Sequence, residues 1–233
     1  MTKHRIVLAT PHSRYNTLEK VLCSRNDLEV IRIREREGLN LQVLSDFMPR
    51  FVFFPHWSWI IPAVVFERFE CVIFHMSDVP FGRGGSPLQN LIDLGLDETW
   101  LSALRCDHEL DAGPVYLKRH LSLLGSAEEI LLRAAKLMEE MIATILDTQP
   151  TPEPQVGKPI VFKRRKPEQS NLHLETSLER VHDMIRMLDA ENYPHAFVEL
   201  GKLRFEFTRG SLFQDHVRAD VRITLIEQRK TEL

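Results

Sequence analysis

The 233 residues predict an α/β fold: a mostly parallel, twisted sheet carrying short helices, followed by a small α+β extension. Two observations carry the first part. Arg5-Ile6-Val7-Leu8-Ala9, Arg50-Phe51-Val52-Phe53-Phe54 and Cys71-Val72-Ile73-Phe74 are short, continuous apolar runs, the pattern of strands buried on both faces. Helical spacing between the runs gives the strand–helix alternation of a parallel, Rossmann-like sheet. A third observation separates the extension. Gln149-Pro150-Thr151-Pro152-Glu153-Pro154 follows the longest amphipathic segment and cannot continue a helix. The expected division is residues 1–148 and 149–233, with the second part packed on the first.

In chain order, the first strand ends at Thr10-Pro11-His12-Ser13, and Tyr15 to Leu22 is a short helix. Glu29 to Ile33 alternates as a second strand. Leu41, Leu44 and Phe47-Met48 have helical spacing before the third strand at Arg50 to Phe54. Cys71 to Phe74 is the fourth, and a loop with two prolines and three glycines runs from it to a short helix between Leu88 and Leu96. Val115 to His120 alternates as a strand. Ser126-Ala127-Glu128-Glu129 fits a capping box, and Ile130, Leu131, Ala134, Leu137, Met138, Met141, Ile142 and Ile145 give the following helix a broad apolar face. Beyond the prolines come Pro159 to Arg165, a helix from Ser177 to Leu188, and alternating runs at Ala196 to Leu200, Leu203 to Phe207 and Val217 to Ile226. Gly201-Lys202 and Arg209-Gly210 supply the turns. There is no internal repeat.

Composition narrows the function. Hydrophobic content of 43% and charged content of 27% are those of an ordinary soluble globular protein. A formal charge of −3 gives no electrostatic argument for nucleic acid, which is excluded as a partner on this ground. Cys23, Cys71 and Cys106 lack the spacing of a disulfide framework or zinc site, so no metal is expected. No apolar run can span a membrane, and Met1-Thr2-Lys3-His4-Arg5 leads into a strand without a signal peptide. A cytoplasmic protein with no membrane partner is the expectation. A homodimer is allowed, but nothing in the sequence decides the oligomeric state. No Gly-x-Gly-x-x-Gly follows the first strand, so the site is not one for a dinucleotide. The Thr10 to Asn16 loop is read as a strand-to-helix connection, with a phosphate or sugar held through backbone N–H groups and Asn16 as the alternative.

Chemistry concentrates in two stretches. His75 stands at the carboxyl end of the fourth strand and faces the Gly/Pro loop, where open α/β sheets bind ligands. Asp111 lies in the loop Leu110-Asp111-Ala112-Gly113-Pro114, after Asp107-His108-Glu109. A helix and a strand separate the two residues, so they can converge as an acid/base pair.

The stretches His75, Pro80, Arg83-Gly84, Pro87 and Asp111-Ala112-Gly113 resemble the hallmark frame of the 10-formyltetrahydrofolate-dependent formyltransferases: Asn-x-His, a proline turn, Arg-Gly-x-x-Pro and Asp-x-Gly. The resemblance covers Pro49 to Leu146 well and Lys163 to Phe207 more loosely. It implies a formyltransferase core, 10-formyltetrahydrofolate as the formyl donor, and a reaction in which an amine attacks the formyl carbon. His75 is then the donor to the developing oxyanion and Asp111 the carboxylate that orients it. Ile73 departs from the frame. The family has an oxyanion-donating asparagine there, and losing one such donor costs roughly 3–4 kcal/mol. His56, Asn90, His108 and a glycine-loop N–H are the candidate replacements, with His56 chosen.

The resemblance also implies that Trp57, Ser58, Trp59, Ile60 and Ile61 wall the pterin and that Asp107 and His108 contact its edge. Arg83, Gly84, Asn16 and Ser77 would hold the acceptor. Lys163 to Pro167, Ile185 to Leu188 and Tyr193 to Phe197 resemble the C-terminal part of amino-sugar formyltransferases. The expected function is therefore formylation of the amino group of a nucleotide-linked amino sugar, such as a 4-amino-4,6-dideoxyhexose, in surface-glycan synthesis. Methionyl-tRNA or glycinamide ribonucleotide formylation, and folate or sugar-nucleotide binding without turnover, are the alternatives.

Overall fold

A computed structural model describes residues 3–175 and 177–226. Met1 and Thr2, on which the absence of a signal peptide was read, and residues 227–233 of the expected extension lie outside the described residues.

The apolar runs form strands β1 (His4–Ala9), β2 (Leu28–Ile33), β3 (Phe51–Phe54) and β4 (Cys71–His75), all mutually parallel. Strands β6 (Glu98–Arg105) and β7 (Val115–Ser122) complete a six-stranded sheet in the order β2-β1-β3-β4-β6-β7, the last two antiparallel. Helices α1 (Asn16–Ser24), α2 (Leu41–Phe47), α3 (Ala63–Phe66) and α4 (Pro87–Asp93) connect the strands. The α/β expectation with a mostly parallel central sheet is met.

Because side chains alternate along a strand, the continuous apolar runs divide between two cores. Ile6, Leu8, Phe53 and Val72 enter the larger cluster, which includes α5 (Ala127–Thr148). Val7, Ala9, Val52, Phe54 and Cys71 enter the smaller one, with Leu44 and Val65. The predicted capping box of α5 is formed. Ser126 Oγ accepts from the Glu129 amide at 3.3 Å, and the Glu129 carboxylate accepts from the Ser126 amide at 2.7 Å. Those hydrogen bonds hold the Glu129 carboxyl below its ordinary pKa.

The proline stretch is extended, as expected, but it is tied down. Val115 and Glu153 exchange backbone hydrogen bonds of 2.7 and 2.9 Å. Two short strands escape the sequence pattern: β5 (Phe81–Gly84) and β8 (Ile160–Phe162), which pair in parallel. Neither has a period long enough to register, and each exists because the other supplies its ladder. Phe162 packs on Gly82, where a Cβ would come within 2.7 Å of the ring.

In the extension, α6 (Leu178–Arg186) is capped by Ser177, whose side chain accepts from the Arg180 amide. It packs on an antiparallel sheet of β9 (Ala196–Leu200), β10 (Leu203–Leu212) and β11 (Val217–Leu225), ordered β11-β10-β9. Arg209-Gly210 is not a turn. It is a bulge inside β10, with Arg209 at φ +53° and the register shifting between Thr208 and Ser211. The chain reverses after it, where Phe213 N–H donates to His216 O at 2.8 Å. Among the described residues no helix is long and apolar enough to cross a membrane, and no group of three or more His, Cys, Asp or Glu is placed to hold a metal ion.

Candidate active site

Strand β4 ends at His75, and the segment from Ser77 to Gly84, which includes β5, folds back so that the Gly82 carbonyl meets His75. The ring of His75 is 7% exposed. Its Nε2 lies 2.7 Å from the carbonyl of Gly82, and its Nδ1 is 3.5 Å from Asp111 Oδ2. A carbonyl can only accept, so Nε2 carries a proton. The other ring nitrogen faces the Asp111 carboxylate, which orients the imidazole between the carboxylate and the Gly82 carbonyl.

Asp111 is fixed from two sides. Its Oδ2 accepts from the Gly84 amide at 3.0 Å, and its own carbonyl accepts from Gln155 Nε2 at 2.8 Å. Gln155 Nε2 also donates to Gly113 O at 2.8 Å, and Gln155 Oε1 accepts from Arg83 Nε at 3.0 Å. Gly113 has no room for a side chain, since a Cβ would lie 1.9 Å from Arg105 O. Gln155 was missed by sequence reasoning. It comes from beyond the proline stretch, and no local pattern marks it.

The remaining predicted residues fall into separate groups. Ser77 is fully buried, its hydroxyl donating to Gly82 O at 3.1 Å and its carbonyl accepting from Ser102 Oγ at 2.8 Å. Arg83 is engaged with Gln155 and, at 3.2 Å, with Glu109. Asn16 opens α1 and accepts from Arg32 Nη1 at 2.7 Å. Trp57 stands edge-on to Phe54 at 5.8 Å and to Trp59 at 4.7 Å. Ile61 packs on the smaller core, whereas Ser58, Trp59 and Ile60 are exposed. His108 stands edge-on to Phe66 at 5.0 Å and faces Glu67 at 3.3 Å, and its backbone N–H donates to Asp107 Oδ1 at 2.6 Å.

His56 goes elsewhere. Its ring sits 4.5 Å from that of His12, at the adjoining ends of β3 and β1, and among the described residues no hydrogen bond or ion pair joins it to His75 or Asp111. Burial, then the nearby His12 and Arg14, lower its pKa to about 3, so it is neutral at physiological pH. Burial lowers His12 as well. Asn90 Nδ2 is taken by the carbonyls of Gly85, Ser86 and Lys163. Ile73, two residues before His75 on the same face of β4, packs against the smaller core and offers no donor.

The family model for the C-terminal domain of methionyl-tRNA formyltransferase matches residues 167–224. The solved methionyl-tRNA formyltransferase from Clostridium thermocellum is 43% identical, covers 95% of this chain and 99% of that one, and superposes with a TM-score of 0.93. The methionyl-tRNA formyltransferase of Bartonella quintana is 30% identical over 141 residues, 57% of this chain and 46% of that one. The chain spans about half the length of the curated relatives it matches. A 4-N formyltransferase from Francisella tularensis shares the fold, with a TM-score of 0.66 at 14% identity.

These findings overturn two expectations. The amino-sugar assignment fails, because the sequence likeness at 43% is to a methionyl-tRNA formyltransferase, and a sugar N-formyltransferase from Shewanella sp., 12% identical with a TM-score of 0.64, shares only the fold. The exclusion of nucleic acid fails with it. A net charge of −3 is a sum over the whole chain, and it conceals a local run of exposed cations, Lys158, Lys163, Arg164 and Lys166, next to the glycine loop. The chain belongs to the formyltransferase superfamily, grouped with the methionyl-tRNA formyltransferases.

Proposed function

We propose that this protein is an enzyme that transfers the formyl group of 10-formyltetrahydrofolate to the amino group of methionyl-tRNA, a cytoplasmic reaction. The observation that carries the reading is the likeness to the Clostridium thermocellum protein over 95% of the chain. The His75–Asp111 pair supports it by placing an ionisable donor and its carboxylate at the end of the sheet.

In this reading residues 1–148 hold the donor and the chemistry, and residues 149–233 face the acceptor. The amine nitrogen attacks the formyl carbon, the carbonyl oxygen becomes an oxyanion, and the bond to the folate nitrogen breaks as that nitrogen takes a proton. His75 Nε2–H donates to the oxyanion in place of Gly82 O, and Asp111 orients the ring. The amine proton passes through this pair to the departing nitrogen. Trp57, Ile61 and Phe66 offer an apolar wall to the pterin, and Trp57 Nε1, a buried donor without a partner among the described residues, fits its polar rim. Gln155 is a positioning residue that acts through Asp111 and Arg83.

The test is turnover with 10-formyltetrahydrofolate and methionyl-tRNA, with His75→Ala in parallel. Formylmethionyl-tRNA from the wild type, reduced about a hundredfold or more in the variant, is the expected result. Ile73 favours one second reading, a protein that binds the donor without transferring from it. Folate binding with no formylated product would establish that reading and sink the first.

A further inference from the structure

Among the described residues, strand β11 is the open edge of the β11-β10-β9 sheet. The register sets Leu203 opposite Leu225, Phe205 opposite Ile223 and Phe207 opposite Val221, while Leu200, Val198 and Ala196 oppose the same β10 residues from the other side. One face is therefore apolar in three successive rows. Helix α6 and the main core take up the end near Ala196 and Ala219. Beyond them no described residue covers the face: Val221, Ile223 and Leu225 are 50%, 53% and 71% exposed, and Leu200 is 70% exposed. An apolar face that runs out to an unpaired strand edge is a template for strand addition.

We propose that a second copy of this chain covers the edge, β11 pairing antiparallel with β11 of that copy about a two-fold axis at Val221. The result is one continuous sheet through both protomers. The occupant follows from self-complementarity. Val221 is the midpoint of Val217–Leu225, so pairing the strand over its full length sets residues opposite in the sense 217 with 225. On the apolar face Val217 then meets Leu225, Ala219 meets Ile223, and Val221 meets its own copy. On the other face Asp220 meets Arg222 twice by symmetry. Arg222 has no carboxylate partner among the described residues, and Asp220, held in its own chain by Arg209, is half exposed. Registers centred on Asp220 or Arg222 oppose like charges, and a one-residue slip sets the apolar face of one copy beside the polar face of the other. Only the register centred on Val221 uses the whole strand and satisfies both faces. The contact is isologous and closes after two copies.

The test is the mass of the full chain in solution by light scattering and native mass spectrometry, for the wild type, Asp220→Arg and Arg222→Asp. The wild type is a dimer. Each variant alone opposes like charges at two places and dissociates at least about tenfold more readily. When the two variants are mixed, positions 220 and 222 of the first both carry arginine and those of the second both carry aspartate. Both cross-axis pairs then join opposite charges, and the dimer returns as the heterodimer. That recovery also shows that both variants are folded. A monomeric wild type at micromolar concentration overturns the proposal, as does a dimer that both variants retain or a mixture that stays monomeric.

Discussion

His75 Nδ1 and Asp111 Oδ2 face each other at 3.5 Å, and the same carboxylate oxygen accepts the Gly84 amide at 3.0 Å. One oxygen thus ties the strand-end histidine, the loop carboxylate and the glycine loop into a single unit. Orientation of the ring and position of the loop are consequently linked.

Asp111→Asn separates those two duties. The amide oxygen still accepts from Gly84, so thermal stability changes little. The ring loses its counter-charge, and kcat/KM for formylation of methionyl-tRNA falls by about a hundred- to a thousandfold. Steady-state kinetics beside a melting curve check this, and unaltered kinetics would remove Asp111 from the reaction.

Ile73→Asn tests the departure from the family frame. The side chain stands on the His75 face of β4 and is only partly buried. Restoring the oxyanion donor raises kcat by up to about a hundredfold, whereas a polar group against the smaller core costs about 1–3 kcal/mol. A rate that stays level shows that another group already donates to the oxyanion.

His56 makes acid stability a readable quantity. Its pKa is 6.5 in an ordinary setting and about 3 in the fold, so below pH 6.5 the unfolded chain binds a proton that the folded chain refuses. Stability is therefore complete above pH 6.5 and lost as pH falls towards about 3, at up to about 1.4 kcal/mol per pH unit from this group. His56→Gln flattens that part of the profile in urea denaturation between pH 7 and pH 5. An equally steep profile in the variant would place the acid sensitivity on other groups, His12 first.

Gly113→Ala is the sharpest packing test. The new Cβ would sit 1.9 Å from Arg105 O, which is backbone and cannot turn aside. The variant loses about 3 kcal/mol or more and the Asp111 loop shifts, abolishing turnover. A melting temperature equal to that of the wild type is the contrary result.

The parallel strands were legible because each is buried on both faces and announces itself as an apolar run. Helix α5 was legible because its cap and its 3.6-residue stripe agree. His75 and Asp111 were readable together from strand-end placement and a glycine loop. His56 shows the limit. Its place after β3 suggested a role beside His75, but β3 lies between β1 and β4, so the residue after it has a neighbouring loop on either side, and His56 packs on His12 after β1 rather than on His75 after β4. Which of two flanking strands a loop residue turns towards is settled by packing across the sheet, which no local spacing encodes.

The sequence by itself determined the α/β class, the long capped helix and the two motifs, since each depends on side chains within one turn or one strand. The tertiary structure alone decided the rest. It paired β5 with β8, brought Gln155 under Asp111, turned Arg209-Gly210 into a bulge, and gathered exposed cations beside the glycine loop in a chain whose total charge is negative. Each of these depends on partners far apart in the chain, and an energy shared between distant segments leaves no period in either of them.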